Sequence, residues 1–215
     1  MGLELAAPSQ AGHATRRGGD PSLAREALAC HQKKAIDEGC EVVFVDESGF
    51  YLLPGVARTW APRGVTPMLR HRLTRDHVSA ISGITQTGEI YMMLREHAYR
   101  NPDCVRFLEH LLRQIGRKIL VLWDGAPIHR SKVVKAYLAG DGRGKVHLER
   151  FPGHAPELNP DEGIWRHLKY VELRNVCCQT IAELKAEIRS ATRRLRRRRD
   201  IVLACIRQPG FMTNQ

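Results

Sequence analysis

Four acids lie where a folded chain can put them to chemical use. Asp46 ends the apolar run of "EVVFVDESGF" and Asp124 ends that of "KILVLWDGAP", while Asp161 and Glu162 lie together in "HAPELNPDEGIW". A lone acid after a strand is ordinarily a turn residue. Two apolar strands that each deliver one say more, because the carboxyl ends of strands in an open α/β sheet are where ligands bind. If those strands are neighbours the carboxylates converge, and like charges that close are unfavourable unless a cation lies between them. Ligation by oxygen alone selects a hard divalent ion, Mg²⁺ or Mn²⁺.

The last stretch also has a local explanation. Asn159 can cap a helix, Pro160 suits its first position, and Glu162 then falls at the third, a pattern in which the helix dipole favours both acids. Periodicity does not choose between them. At about 100° per residue, Asp161 lies nearer the apolar face of Ile164, Trp165, Leu168 and Val171, and Glu162 lies on the flank shared with Arg166 and Lys169.

Holding such groups together takes a sheet, and its parts are legible. Residues 1–21 show no periodicity, and a helix follows that ends at Gly39. Val42–Val45 predict a strand buried on both faces and ending at Asp46. "ARTWAPRGVTP" is turn-rich, with a short strand at Arg58–Trp60, and "HVSAISGIT" and "EIYMMLRE" around "QTG" read as a hairpin. "NPDCVRFLEHLLRQIG" predicts a helix capped by Asn101 and ended by Gly116. "KILVLW" is a second buried strand, "HRSKVVKAYLAG" a short helix and "KVHLERF" a strand. A helix from Pro160 to about Leu173 and a last amphipathic helix, "TIAELKAEIRSATRRLRRRR" with Thr180 and Glu183 as a capping box, complete the pattern. That order predicts an α/β fold, a mixed sheet flanked by helices.

Charge points to the partner. Lys and Arg number 34 against 23 Asp and Glu, a net +11, which favours a polyanion, nucleic acid first. The six cysteines contain no CxxC pair, which excludes a zinc knuckle, and are expected as buried small hydrophobes. No apolar run reaches the roughly 18 residues of a membrane span. The first twenty residues lack the basic start and apolar stretch of a secretory signal, so a cytoplasmic protein is expected.

"VFVDESGF", "VLWDGAPIHRS" and "HAPELNPDEGIW", in that order, resemble three motifs of the insertion-sequence transposases of the mariner superfamily, insertion-sequence family 630 in particular. "RTWAPRGVTP" adds to a likeness that runs from about residue 40 to 175. The resemblance implies a ribonuclease-H-like fold and a DDE triad, which by position is Asp46, Asp124 and Glu162. Asp161 stands where the family more often has an apolar residue, and Glu47 follows the first Asp in the family without counting as a ligand. Two departures are His154-Ala155-Pro156, where Tyr-Ser-Pro is common, and Gly125, where Asn is frequent. His129, five residues after Asp124, reads as a capping or packing group ahead of a general base.

The implied activity is DNA cleavage and strand transfer, with the three carboxylates holding two ions, Mg²⁺ or Mn²⁺, about 3.5–4 Å apart. The implied partners are the double-stranded DNA of transposon ends and target, and further copies of the chain in a transpososome. Only 45 residues precede Asp46, so a separately encoded helix-turn-helix segment is a further expected partner. Arg166, Lys169, Arg196, Arg197, Arg198 and Arg199 are the candidate DNA contacts. The expected division is a loose segment and helix over 1–40, the catalytic domain over 41–175, and a basic helical extension over 176–215. The competing readings are a catalytically idle DNA-binding remnant and, less favoured by the charge, a hydrolase of small phosphoesters.

Overall fold

The computed structural model describes residues 30, 33, 35, 37–57, 60–61, 68–70, 74–151 and 158–209. Most of the expected first helix lies outside them, but Cys30, Lys33, Ala35 and Asp37 are helical. The short strand expected around Arg58 and Thr59 and the His154-Ala155-Pro156 loop also lie outside.

Five strands form one sheet in the order β3-β2-β1-β4-β5: β1 is Glu41–Tyr51, β2 His77–Thr85, β3 Ile90–Arg95, β4 Ile119–Trp123 and β5 Val146–Arg150. β1, β2 and β3 pair antiparallel, while β1, β4 and β5 pair parallel. The helices are α1 (Asn101–Ile115), α2 (Lys132–Ala139), α3 (Pro160–His167), α4 (Ile181–Arg196) and α5 (Arg199–Arg207). This is the mixed sheet with flanking helices that the pattern predicts.

Side chains of a strand alternate between faces, so the apolar runs serve two cores. Val42, Phe44, Leu120 and Leu122 face Ile164 and Trp165 of α3, Leu184, Ile188 and Leu195 of α4, and Val202 and Ile206 of α5. Val43, Val45, Val121 and Trp123 face Phe107, Leu108 and Leu111 of α1 and Val134 of α2. Truncating one of the buried leucines to Ala costs about 2–5 kcal/mol. The α3–α5 contact requires Gly163, because a Cβ there would lie 2.8 Å from Cys205 Sγ.

Three local expectations change. β1 does not end at Asp46 but runs on to Tyr51. Its parallel partner β4 stops at Trp123, while its antiparallel partner β2 continues as far as the Tyr51–His77 pair, so Asp46 lies mid-strand with one edge freed. The last expected helix is not the last: α4 ends at Arg196, and a further helix, α5, which periodicity missed, begins at Arg199. The arginine run spans that break. The first residue of α1 is Asn101, and the Asp103 carboxylate accepts from Arg100 N at 3.1 Å, moving the cap one residue earlier.

Candidate active site

Register places the first two acids. Phe44 of β1 pairs with Leu122 of β4. Asp46 and Asp124, each two residues further on, therefore reach the same level of strands that run about 4.8 Å apart. The third group arrives on α3, whose start is set by Asn159. Its side chain accepts from Asp161 N at 3.1 Å and donates to Val45 O at 3.4 Å, tying the helix start to β1. Glu162, in the first turn of α3, is exposed. A π-helical turn over Leu168–Glu172 follows α3.

The carboxyl environments differ. Burial, then the charges of Glu162 and Glu47, push Asp46 up to about 7. Trp165 Nε1 donates to Asp46 Oδ2 at 3.0 Å and pulls the other way. Asp124 is held below the usual carboxylate range, first by its hydrogen bond with His129. His129 Nδ1 lies 2.7 Å from Asp124 Oδ1, and Ala126 N donates to the same oxygen at 2.9 Å. His129 Nε2 lies 2.9 Å from Glu47 Oε1, and Trp123 Nε1 donates to Glu47 Oε2 at 3.2 Å. The imidazole stacks on the Trp123 indole with centroids 3.9 Å apart. Burial opposes the charged imidazole, yet the two carboxylates outweigh it and raise His129 to about 9. Both ring nitrogens then donate, and His129 is a cation clamped between Asp124 and Glu47.

Asp161 is fully buried, 0% exposed, with Ser82 Oγ donating to its Oδ1 at 2.5 Å and its Oδ2 without a partner. Burial, then the charge of Asp46, raise it well above the usual carboxylate range, which favours its neutral form. The periodicity that set it toward the apolar face was right, and the structure gives it no access to a ligand.

Residues 41–185, a span that takes in all three acids of the expected triad, match the DDE superfamily endonucleases. The chain belongs to that family. It is 26% identical over 160 residues to the Transposable element Tc1 transposase of Caenorhabditis elegans, covering 68% of this chain and 58% of the relative. The chain thus spans little more than half the length of that curated relative. Among solved structures it resembles the Mos1 mariner paired-end complex with Mn, at 15% identity and a TM-score of 0.60, covering 96% of this chain and 68% of the other. The catalytic domain of Mos1 mariner transposase matches at 14% identity and a TM-score of 0.55, covering 90% and 94%. These likenesses show the ribonuclease-H-like fold.

In this chain the candidate DNA contacts separate into two groups. Arg166 and Lys169 line a cleft of about 420 Å³ with Glu47, Ser48, Glu162 and Gln208. Lys169 Nζ donates to Ser48 Oγ at 2.6 Å and lies 5.4 Å from the Phe50 ring centroid. Burial lowers its pKa against the pull of Glu162 and Asp46. Arg196 donates to Ile90 O at 2.9 Å and Arg198 pairs with Asp200 at 3.2 Å, so both are engaged within the chain. Arg197 and Arg199 are exposed. Of the cysteines, Cys40, Cys104 and Cys178 are buried as expected, but Cys30 is exposed and Cys177 and Cys205 are half-buried.

Sequence reasoning missed three roles. Glu47 and His129 act as one unit with Asp124, and Trp165 fixes Asp46 beyond anchoring its helix. The signals were present: His129 follows Asp124 within one motif, and Trp165 lies three residues after Glu162 on the same helix. No described helix is long and apolar enough to cross a membrane.

Proposed function

We propose that this chain is the catalytic domain of a transposase, cutting and joining DNA with divalent cations held by Asp46, Asp124 and Glu162. The observation that carries the reading is the pair of acids at one level of adjacent strands, with a third on α3 whose charge adds to burial in driving Asp46 up to about 7. Acids buried and crowded in this way gain from a divalent counter-charge, and their all-oxygen donor set fits Mg²⁺ or Mn²⁺. A pair of such ions, when bound, stabilises charge on the attacking and leaving oxygens of an in-line phosphodiester displacement.

The chain's own residues prepare that site. His129 keeps Asp124 ionised and fixes one of its oxygens, leaving Oδ2 to ligate. Trp165 holds one oxygen of Asp46 and so orients the other. Glu162 reaches solvent from the first turn of α3, on the same cleft as Arg166 and Lys169, whose charges suit a phosphate backbone. Tc1 is named as a transposase, and the Mos1 structures include paired-end complexes with Mn and with Mg, which supports divalent ions, DNA ends and further copies of the chain as partners.

The test is nicking of supercoiled plasmid by the purified chain. Nicking that needs Mg²⁺ or Mn²⁺, stops with EDTA and is lost in Glu162→Gln supports the reading. DNA binding without nicking under any divalent ion would leave the idle remnant instead.

A further inference from the structure

One cation beside the site has no role in the arrangement described so far. Arg150 is the last residue of β5 and pairs with Trp123, the residue before Asp124. Its guanidinium lies across Gly125: a Cβ built there would be 2.5 Å from Nη2, 3.1 Å from Cζ and 3.2 Å from Nε. Nη2 is the nearest of the three atoms, so the guanidinium rests against the glycine through its Nη2 and Nε side. Its charge adds weakly to the lowering of Asp124, whose Oδ1 is already occupied by His129 and Ala126 N. Arg95, Arg117, Arg194 and Arg198 each pair with an acid, but among the described residues no acid forms an ion pair with Arg150, and its side chain is exposed.

A planar cation with free donors, parked on a backbone platform next to a metal-ligating acid, has the geometry for a bidentate grip on phosphate. Glycine leaves that space open, because a Cβ at position 125 would push the guanidinium out of its present place. We propose that Arg150 contacts a backbone phosphate of the DNA strand lying over the Asp124 edge of the site, with Gly125 as the seat that holds it there. This rests on the transposase reading, since it takes DNA as the ligand.

The experiment is a fluorescence-anisotropy titration of a short duplex at several salt concentrations, with Ca²⁺ present, on the full chain and its variants. One lost phosphate contact lowers the salt slope by about 0.9 and the affinity by about tenfold at 0.1 M salt. Arg150→Ala is expected to show that loss. Gly125→Ala is expected to show it too, by pushing the guanidinium aside, and the double variant to show no more than either single one. Arg150→Lys keeps the charge and most of the slope. Thermal midpoints and Mn²⁺ affinity, which a collapsed site would lower, should stay at the wild-type values in Arg150→Ala. A wild-type slope in Arg150→Ala, or additive losses in the double variant, overturns the proposal alone. Absence of salt-dependent binding by the wild-type chain overturns the transposase reading with it. If Gly125→Ala fails to fold, Arg150→Ala and Arg150→Lys decide the matter.

Discussion

Asp46 and Asp124 occupy the same level of neighbouring parallel strands, yet their carboxyl groups are driven in opposite directions. Asp124 has a resident cation, His129, and is held below the usual range. Asp46 receives the Trp165 indole N–H and the Glu47 backbone N–H, and burial, then the charges of Glu162 and Glu47, still push it up to about 7. One half of the site is electrostatically complete and the other is left in deficit. The deficit is what a divalent cation would relieve, while the completed half provides a carboxylate already ionised and aimed. The buried Asp161 beside them, raised well above the usual range first by burial, is pushed toward the alternative solution to crowded acids, protonation, at a position without access to a ligand.

The two halves should part most widely when the deficient one is altered. Asp46→Asn should lower metal-dependent nicking by about a thousandfold or more, as expected when a ligand in such a site is removed. It should also stabilise the metal-free fold at pH 8. A carboxyl raised from 3.8 to about 7 favours folding at low pH, and that advantage is lost as pH rises through 7. Removing the ionisable group recovers about 2–4 kcal/mol at pH 8, because each pH unit between the folded and unfolded values is worth about 1.4 kcal/mol. Urea unfolding with and without Mn²⁺ checks both signs.

At the complete half the effect reverses. His129→Ala should destabilise the fold by about 3 kcal/mol, because it leaves Asp124 and Glu47 facing each other without their cation. His129 is raised from 6.5 to about 9, so its stabilisation is full below 6.5 and is lost as pH rises through 9. The gap in thermal midpoint between wild type and His129→Ala should shrink over that window. A gap independent of pH would mean that His129 only packs on Trp123.

A gentler probe uses protons. Metal must displace the proton of Asp46, so Mn²⁺ affinity should rise about tenfold per pH unit up to about 7 and flatten above. In Asp46→Asn that dependence should vanish. The smallest change is expected for Asp161→Asn, within about 1 kcal/mol in stability and without loss of metal, since burial already disfavours the charged form and Ser82 can still donate to the amide oxygen.

Much of this was legible in the sequence because it is local. Apolar runs marked both central strands, "QTG" marked the hairpin, and Gly116 ended α1 in the left-handed conformation at φ 73°. The register that aligns Asp46 with Asp124 was not legible, since pairing between strands more than 70 residues apart leaves no trace in either stretch. The continuation of β1 past Asp46 was missed for the same reason: "DESGFY" lacks the apolar signature of a strand and is held by β2. The Glu47–His129–Asp124 unit joins two motifs across the sheet, and only the fold brings them together. The break between α4 and α5 lies inside a run of arginines, where no change of periodicity can announce it.

Which acids hold the cation is the central question, and a Mn²⁺ titration followed by electron paramagnetic resonance at pH 8 asks it directly. Wild type and Asp161→Asn should bind Mn²⁺ alike, while Asp46→Asn and Glu162→Gln should each bind it at least about tenfold more weakly, a loss of roughly 1.4 kcal/mol or more. Weak binding in Asp161→Asn alongside undiminished binding in Glu162→Gln would contradict the assignment of the triad.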